Sequence, residues 1–427
     1  MRIRLKEKSD KVQLPKAIVL GSYVNALAVT RSLGRKGIHV IMVSHVRHQV
    51  GAYSRYVKEF SAVPDPYKDE SGLHELLMRK VPEWQGAIVI PTDDFYVDIL
   101  SKNKAELSKY YIVPTANRRA IEIIQNKRLS YDLAMRLNIA APVTLFPENL
   151  ENVSELAKSV VYPCILKAYE GHKFKRDYPR KVIEVDSPAR LCSEYEGIFR
   201  QHPSMIQEVI KGDDSNIIGY AAYYDLAGDP LAEFTRRKIR QSPPSYGNAM
   251  VAESIHNPEI VSLSRSMLRE LDYRGSLVST EFKYDDRDGK LKFIEINARS
   301  VMWYSLAEAS GINLPWIMYQ DLVFGEKVRQ SSQKANIFWI HETADILTLF
   351  RRGRQRLTIR EYLSPYFSKR VFAVLARDDL KPAIIDWTRF LLSSCAYPIG
   401  WCAGLIRKLR YRLLHEAKTT LTINKDA

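Results

Sequence analysis

Over the first hundred residues, short apolar runs alternate with stretches of helical spacing. Residues 17–21 (AIVLG) are apolar and close on glycine, 25–35 carry apolar positions at helical intervals, and 38–43 (IHVIMV) form a second apolar run. That order predicts strand, helix, strand, the opening of a doubly wound parallel sheet. A third run, 87–90, leads into Pro91-Thr92-Asp93-Asp94. Ligands of open parallel sheets bind beyond the carboxyl ends of the strands, which is where Gly21, Ser22, Asp93 and Asp94 fall. Each also fits an ordinary turn or helix cap, so they are substrate-side candidates and no more.

Beyond residue 120 the pattern changes. Residues 121–138 have helical spacing and stop at Ile139-Ala140-Ala141-Pro142. Strand-like runs follow at 164–167, 181–185, 205–210 and 217–224, with a helix expected over 188–199. Runs at 277–284 and 290–296 are joined by Asp285-Asp286-Arg287-Asp288-Gly289, a turn composition that predicts a hairpin. A helix over 314–324 ends at Gly325, and 326–334 reads as a polar linker. The class predicted is α/β followed by α+β with an antiparallel sheet.

Composition narrows the partners. The net charge is +15, but from residue 351 onward there are sixteen Lys and Arg against six Asp and Glu. The first 350 residues are therefore close to neutral for their size, and no nucleic-acid surface is expected. Cys164, Cys192, Cys395 and Cys402 form no CxxC pair, so neither a disulfide framework nor a zinc site is indicated. The basic start MRIRLKEKSDK leads into no signal-peptide core. A reducing cytoplasm is the expected compartment. The Gly21 loop lacks GxGxxG spacing and no Walker loop occurs, so any nucleotide site is built in another way.

The densest chemistry lies in Phe293-Ile294-Glu295-Ile296-Asn297-Ala298-Arg299. On a strand, Phe293, Glu295, Asn297 and Arg299 share one face, with Ile294 and Ile296 turned to the core. The hairpin brings Glu281 alongside. Two carboxylates and an amide oxygen make a hard-oxygen site suited to magnesium, and Arg299 beyond them suits a phosphate or carboxylate. Taken alone, this is equally a polar sheet face on which Arg299 neutralises Glu295. Lys127 opens a helix, and Lys167 ends the run Tyr162-Pro163-Cys164-Ile165-Leu166-Lys167 on the face of Ile165. Gln207-Glu208-Val209-Ile210 leads into a loop holding Asp213 and Asp214, a strand end that fits either a plain turn or an adenosine site.

The order Lys127, Lys167, Gln207-Glu208, Glu281, Glu295-Ile296-Asn297-Ala298-Arg299 resembles ATP-grasp ligases. It is most similar to the carboxylate-amine ligase-like branch of D-aspartate ligase-type proteins, from about residue 16 to 325. Phe234-Thr235-Arg236-Arg237-Lys238-Ile239-Arg240-Gln241 also resembles that branch. The resemblance implies an N-terminal parallel-sheet domain (1–118), an ATP-grasp domain of two subdomains clamping ATP (119–327) and a basic C-terminal extension (328–427). It implies phosphate contacts for Lys127, Lys167 and Lys173. Adenine would meet Gln207, Glu208, Val209 and Ile210, and the ribose Asp213 or Asp214. Glu281, Glu295 and Asn297 would hold two magnesium ions, with manganese as a substitute. Arg299, with Lys238 or Arg237, would steady the carboxylate and its acyl phosphate. Two positions depart from the family pattern: the loop 169–180 contains only Gly171, and Ala298 replaces the usual proline.

The implied activity is an ADP-forming carboxylate-amine ligase, with a phosphotransferase or a non-catalytic binding protein as alternatives on the same fold. Residues 390–406 form a charge-free run bracketed by Arg389 and Arg407-Lys408-Leu409-Arg410. Trp387, Tyr397 and Trp401 suit a membrane interface, a buried hairpin is the competing expectation, and a true span is the third. Interfacial contact through 387–412 would point to a cell-envelope or polysaccharide precursor as acceptor. The oligomeric state is not encoded legibly.

Overall fold

In the computed structural model, residues 14–171, 174, 182–199, 202–243, 245–329, 332–348 and 357–396 are described. The first sheet is built from β1 (Ala17–Leu20), β2 (Val40–Ser44), β3 (Val57–Ala62) and β4 (Ile88–Pro91), parallel in the order β3-β2-β1-β4. β1, β2 and β4 are buried along their whole length, as expected of strands covered on both faces. The helix Val24–Gly34 follows β1 directly. Gly21 turns the chain between them at φ +105°, and a Cβ there would lie 2.4 Å from the Thr92 hydroxyl. Only glycine fits.

A second, antiparallel sheet holds β5 (Thr144–Leu145), β6 (Cys164–Ala168), β7 (Ile183–Val185) and β8 (Ser204–Glu208), in the order β5-β8-β6-β7. Cys164, Leu166 and Ala168 face its own small core. Ile165, Lys167 and Gln207 look the other way, into the central cleft.

The third sheet runs β13-β12-β9-β10-β11-β14-β15. Its strands are β9 (Ile217–Tyr224), β10 (Pro230–Ser242), β11 (Asn248–Ser254), β12 (Ser276–Tyr284), β13 (Leu291–Asn297), β14 (Phe338–Ile340) and β15 (Arg370–Phe372). One face, with Tyr220, Ala222, Val278 and Phe282, packs on the helices Arg118–Gln125, Lys127–Arg136 and Pro258–Glu270. The other, with Ala221, Tyr223, Phe234 and Leu277, shares a core with the helix Val24–Gly34 and with Trp303, Leu314 and Ile317. The hairpin turn forms as composed: Asp285 Oδ1 accepts the Arg287 amide at 3.1 Å, the Gly289 amide donates to the Asp285 carbonyl at 2.7 Å, and Gly289 sits at φ +67°.

Three expectations need correction. The helical pattern over 121–138 is two helices, because the Asn126 side chain accepts the Leu129 amide and caps a new start at Lys127. Phe293 and Ile294 exchange faces. A bulge shifts the β12–β13 register between Glu281↔Glu295 and Phe282↔Phe293, which leaves Ile294 unpaired. Phe293 is therefore buried against Tyr131 and Phe282, and Ile294 lines the cleft. Finally, the described part of 328–427 is no appendage. β14 and β15 complete the main sheet, and Asp379 is buried in an ion pair with Arg31 at 3.0 Å. Of the apolar tail, only residues up to 396 are described, as the end of the helix Lys381–Ala396. No helix of the described residues is long and apolar enough to cross a membrane.

Candidate active site

The three sheets enclose one cleft of about 1940 Å³. β10 shows how charge enters it. Phe234 lies in the apolar core, while Arg236 and Lys238, spaced two apart along the same face, line the cleft, as does Arg240 beyond a register shift after Lys238. All three charges are buried. Arg237 has the opposite phase: it pairs with Glu253 at 2.6 Å, with its side chain 44% exposed, and does not line the cleft. Its expected role beside Arg299 is thereby withdrawn. Arg236 takes a place that sequence reasoning missed. The signal was available in the alternation set by Phe234, but four cationic residues among Arg236-Arg237-Lys238-Ile239-Arg240 hid the phase.

Arg236 reaches Glu281 by crossing β9 at Gly219, which is in register with both. A Cβ at Gly219 would stand 2.7 Å from Arg236 Nε. The guanidinium lies 4.9 Å from the centre of the Trp303 ring and pairs with Glu281, while Lys238 Nζ is 3.6 Å from the same carboxylate. Arg236 Nε and Nη1 have no hydrogen-bond partner among the described residues. Burial pulls both cations below their ordinary pKa, with Glu281 opposing.

Glu281 and Glu295 stand directly opposite each other on β12 and β13, with Asn297 two pairs along. Lys127 Nζ lies 3.6 Å from Glu295, and Asn297 Nδ2 donates to Glu295 at 3.2 Å. Arg299 donates to Asn297 Oδ1 at 3.0 Å and grips Asp94 with Nε and Nη2 at 2.7 and 3.0 Å. Burial opposes the charge on Arg299, but Asp94, supported by Asp93 and Glu295, holds its pKa above the usual value. Asp94 thus joins the N-terminal sheet to the reacting end of the cleft. Asp93 caps the helix Asp94–Lys102, and the Ser22 hydroxyl donates to the Val46 carbonyl at 2.7 Å. Both still line the cleft, as does Gly21.

The other end is formed by β6 and β8. Lys167, Gln207, Glu208, Val209, Ile210, Asp213 and Asp214 all line it. The Glu208 carboxylate already accepts from the Val143 amide at 2.9 Å, from Arg287 at 2.8 Å and from Lys292 at 3.1 Å. Burial would raise its pKa, and these donors together bring it below the ordinary value. Asp213 caps the turn at Ser215, and Asp214 accepts from the Gln241 side chain at 2.7 Å, its pKa raised by burial. Lys173 lies outside the described residues, as does most of the loop 169–180.

Among the described residues, no three His, Cys, Asp or Glu side chains gather as a metal site. The donor set here is two carboxylates and one amide oxygen. That fits a magnesium ion, which takes one or two protein carboxylates and draws its remaining ligands from water and substrate phosphates.

No family model matches the chain. A D-aspartate ligase of Enterococcus faecium is 27% identical over 343 residues, covering 75% of this chain and 79% of that protein. The biotin carboxylase domain of the Hydrogenobacter thermophilus 2-oxoglutarate carboxylase, in complex with MgADP, ADP and bicarbonate, superposes with a TM-score of 0.59 at 18% identity, over 76% of this chain and 74% of that one. The L-amino acid ligase of Bacillus licheniformis gives a TM-score of 0.55 at 16% identity, over 73% and 74%. The likeness to these structures shows that the chain has the ATP-grasp fold. Lys127, Lys167, Glu281 and Glu295 all line the cleft, Lys167 from the small sheet and the two carboxylates from the seven-stranded sheet.

Proposed function

We propose that this chain is an ADP-forming carboxylate-amine ligase that uses ATP and magnesium. One observation carries this: Glu281 and Glu295 meet across neighbouring strands, with Asn297 beside them and Lys127 at 3.6 Å. A carboxylate is a poor electrophile because its leaving group would be oxide. Phosphoryl transfer from ATP converts it to an acyl phosphate, from which an amine displaces phosphate to form the amide. Glu281, Glu295 and Asn297 would hold two metal ions, which when bound offset charge on the phosphate oxygens. Lys127 and Lys167 steady the triphosphate, the strand end at 207–210 receives adenine, and Asp213 or Asp214 the ribose. Arg299, Arg236 and Lys238 balance the carboxylate and the transferred phosphoryl group. Gly21, Ser22, Asp93 and Asp94 shape the substrate end.

The relative's name makes D-aspartate the first carboxylate to try. ADP release and hydroxamate formation with hydroxylamine, over a panel of amino acids beginning with D-aspartate, test the activity. Magnesium-dependent ADP release accompanied by hydroxamate is expected. ADP release without hydroxamate would favour a phosphotransferase, and no turnover a binding protein. The presence of all three candidate metal ligands, Glu281, Glu295 and Asn297, argues against that last alternative.

A second element concerns the acceptor. On the helix Lys381–Ala396, Ile384, Trp387 and Leu391 are exposed at helical spacing beside Arg389. Such a stripe fits peripheral contact with an anionic membrane face, and with it a cell-envelope or polysaccharide precursor as amine donor. Sedimentation of the full chain with phosphatidylglycerol vesicles is expected. Equal recovery with phosphatidylcholine vesicles, or none with either, would oppose it.

A further inference from the structure

Arg236 and Lys238 are engaged with Glu281, but the third cation of the series is held from the opposite side. Arg240 directs Nε and Nη2 onto Asp345 at 2.9 and 2.7 Å. Asp345 is fully buried and also accepts the Tyr366 hydroxyl at 2.8 Å. The guanidinium carbon lies 4.4 Å from the centre of the Tyr362 ring. A carboxylate from the helix Glu342–Thr348 and a ring from the helix Ile359–Phe367 therefore fix the plane of this guanidinium.

Its remaining edge is unsatisfied. Arg240 is 4% exposed, yet Nη1 has no hydrogen-bond partner among the described residues. Buried guanidinium N–H groups are costly to leave unpaired. Arg240 lines the cleft together with Thr348, Thr358, Tyr362 and Leu363. At about 1940 Å³ the cleft exceeds the roughly 300–1,000 Å³ typical of a single small-molecule site. It has room for a second substrate beside a nucleotide.

We propose that Arg240, oriented by Asp345 and Tyr362, holds a substrate carboxylate other than the one being activated, the partner its planar fork favours, so that the helices Glu342–Thr348 and Ile359–Phe367 act as a specificity element. Arg240's role presupposes the ligase activity proposed above. The two are separated by titrating succinate calorimetrically into protein saturated with MgAMP-PNP. Wild type is expected to bind both, and Arg240→Lys to lose about tenfold or more in succinate affinity, since lysine keeps a cation against Asp345 but lacks the planar fork. MgAMP-PNP affinity should stay within about twofold in the variant. Arg240→Gln should lose at least as much, and if it does not fold, Arg240→Lys decides alone. Equal succinate affinity in wild type and Arg240→Lys overturns the proposal. So does an Arg240-dependent site that takes inorganic phosphate and not succinate. Failure of wild type to bind MgAMP-PNP would instead strike at the ligase assignment.

Discussion

Gly219→Ala tests the central geometry with a single methyl group. Gly219 lies on β9 between Arg236 and Glu281, and the new Cβ would stand 2.7 Å from Arg236 Nε and 2.9 Å from Cζ. An arginine tip can usually swing aside, but this one is fully buried and lies against the Trp303 ring at 4.9 Å. Overpacking of this kind costs about 1–3 kcal/mol. Displacing the guanidinium also leaves Glu281 misplaced, and a shift of about 1 Å at a reacting centre reduces rate by about 100-fold. Thermal melting and ADP release should both fall. The discriminating measurement is a double-mutant cycle with Arg236→Ala. If the guanidinium is the obstacle, Gly219→Ala should cost almost nothing once Arg236 is gone, giving a coupling of about 1–3 kcal/mol. An equal loss in both backgrounds would show that Gly219 is needed for its backbone and would refute the proposed path of Arg236 across β9.

Further outcomes are open to measurement. Arg237→Ala should leave ADP release within about twofold but cost about 1–3 kcal/mol of stability, because it strips the partner from the buried Glu253 carboxylate, whereas Lys238→Ala should remove most activity. Reversal of that order would restore Arg237 to the cleft. Glu295→Gln should abolish ADP production while melting near wild type, and retained turnover would take Glu295 out of the metal site. Asp285 is held well below the ordinary carboxylate range by Arg287 first and Lys292 second. A depressed folded pKa contributes stability above the unfolded value of about 3.9, lost as pH falls through the folded one. The stability gap between wild type and Asp285→Asn should therefore be full above about pH 5 and shrink toward pH 2. A gap that does not vary with pH would contradict this.

Much of the site was legible because its elements are local. The turn at 285–289 announced the hairpin, and the hairpin placed Glu281 against Glu295. The apolar alternation of Cys164-Ile165-Leu166 fixed the face of Lys167. What escaped was phase. One unpaired residue, Ile294, exchanged the sides of Phe293 and its neighbour, and bulges leave no mark in hydropathy. β10 hid its inward side because its cleft-facing positions are charged, so Arg236 and Arg240 look like surface. The meeting of Arg240 with Asp345 and Tyr362 was beyond reach for a different cause: Arg240 and Asp345 are 105 positions apart, and no local pattern encodes a meeting so distant.

The Arg31–Asp379 pair bridges 348 positions of sequence. During synthesis, the first helix therefore leaves the ribosome long before its counter-ion exists, carrying a guanidinium that the finished molecule buries at 5% exposure. The early α/β unit cannot settle into its final packing until β14, β15 and Asp379 have been translated. Nascent chains halted short of that point should lean on chaperones, because both the lone charge and the open edge of β11 wait for the same late arrivals.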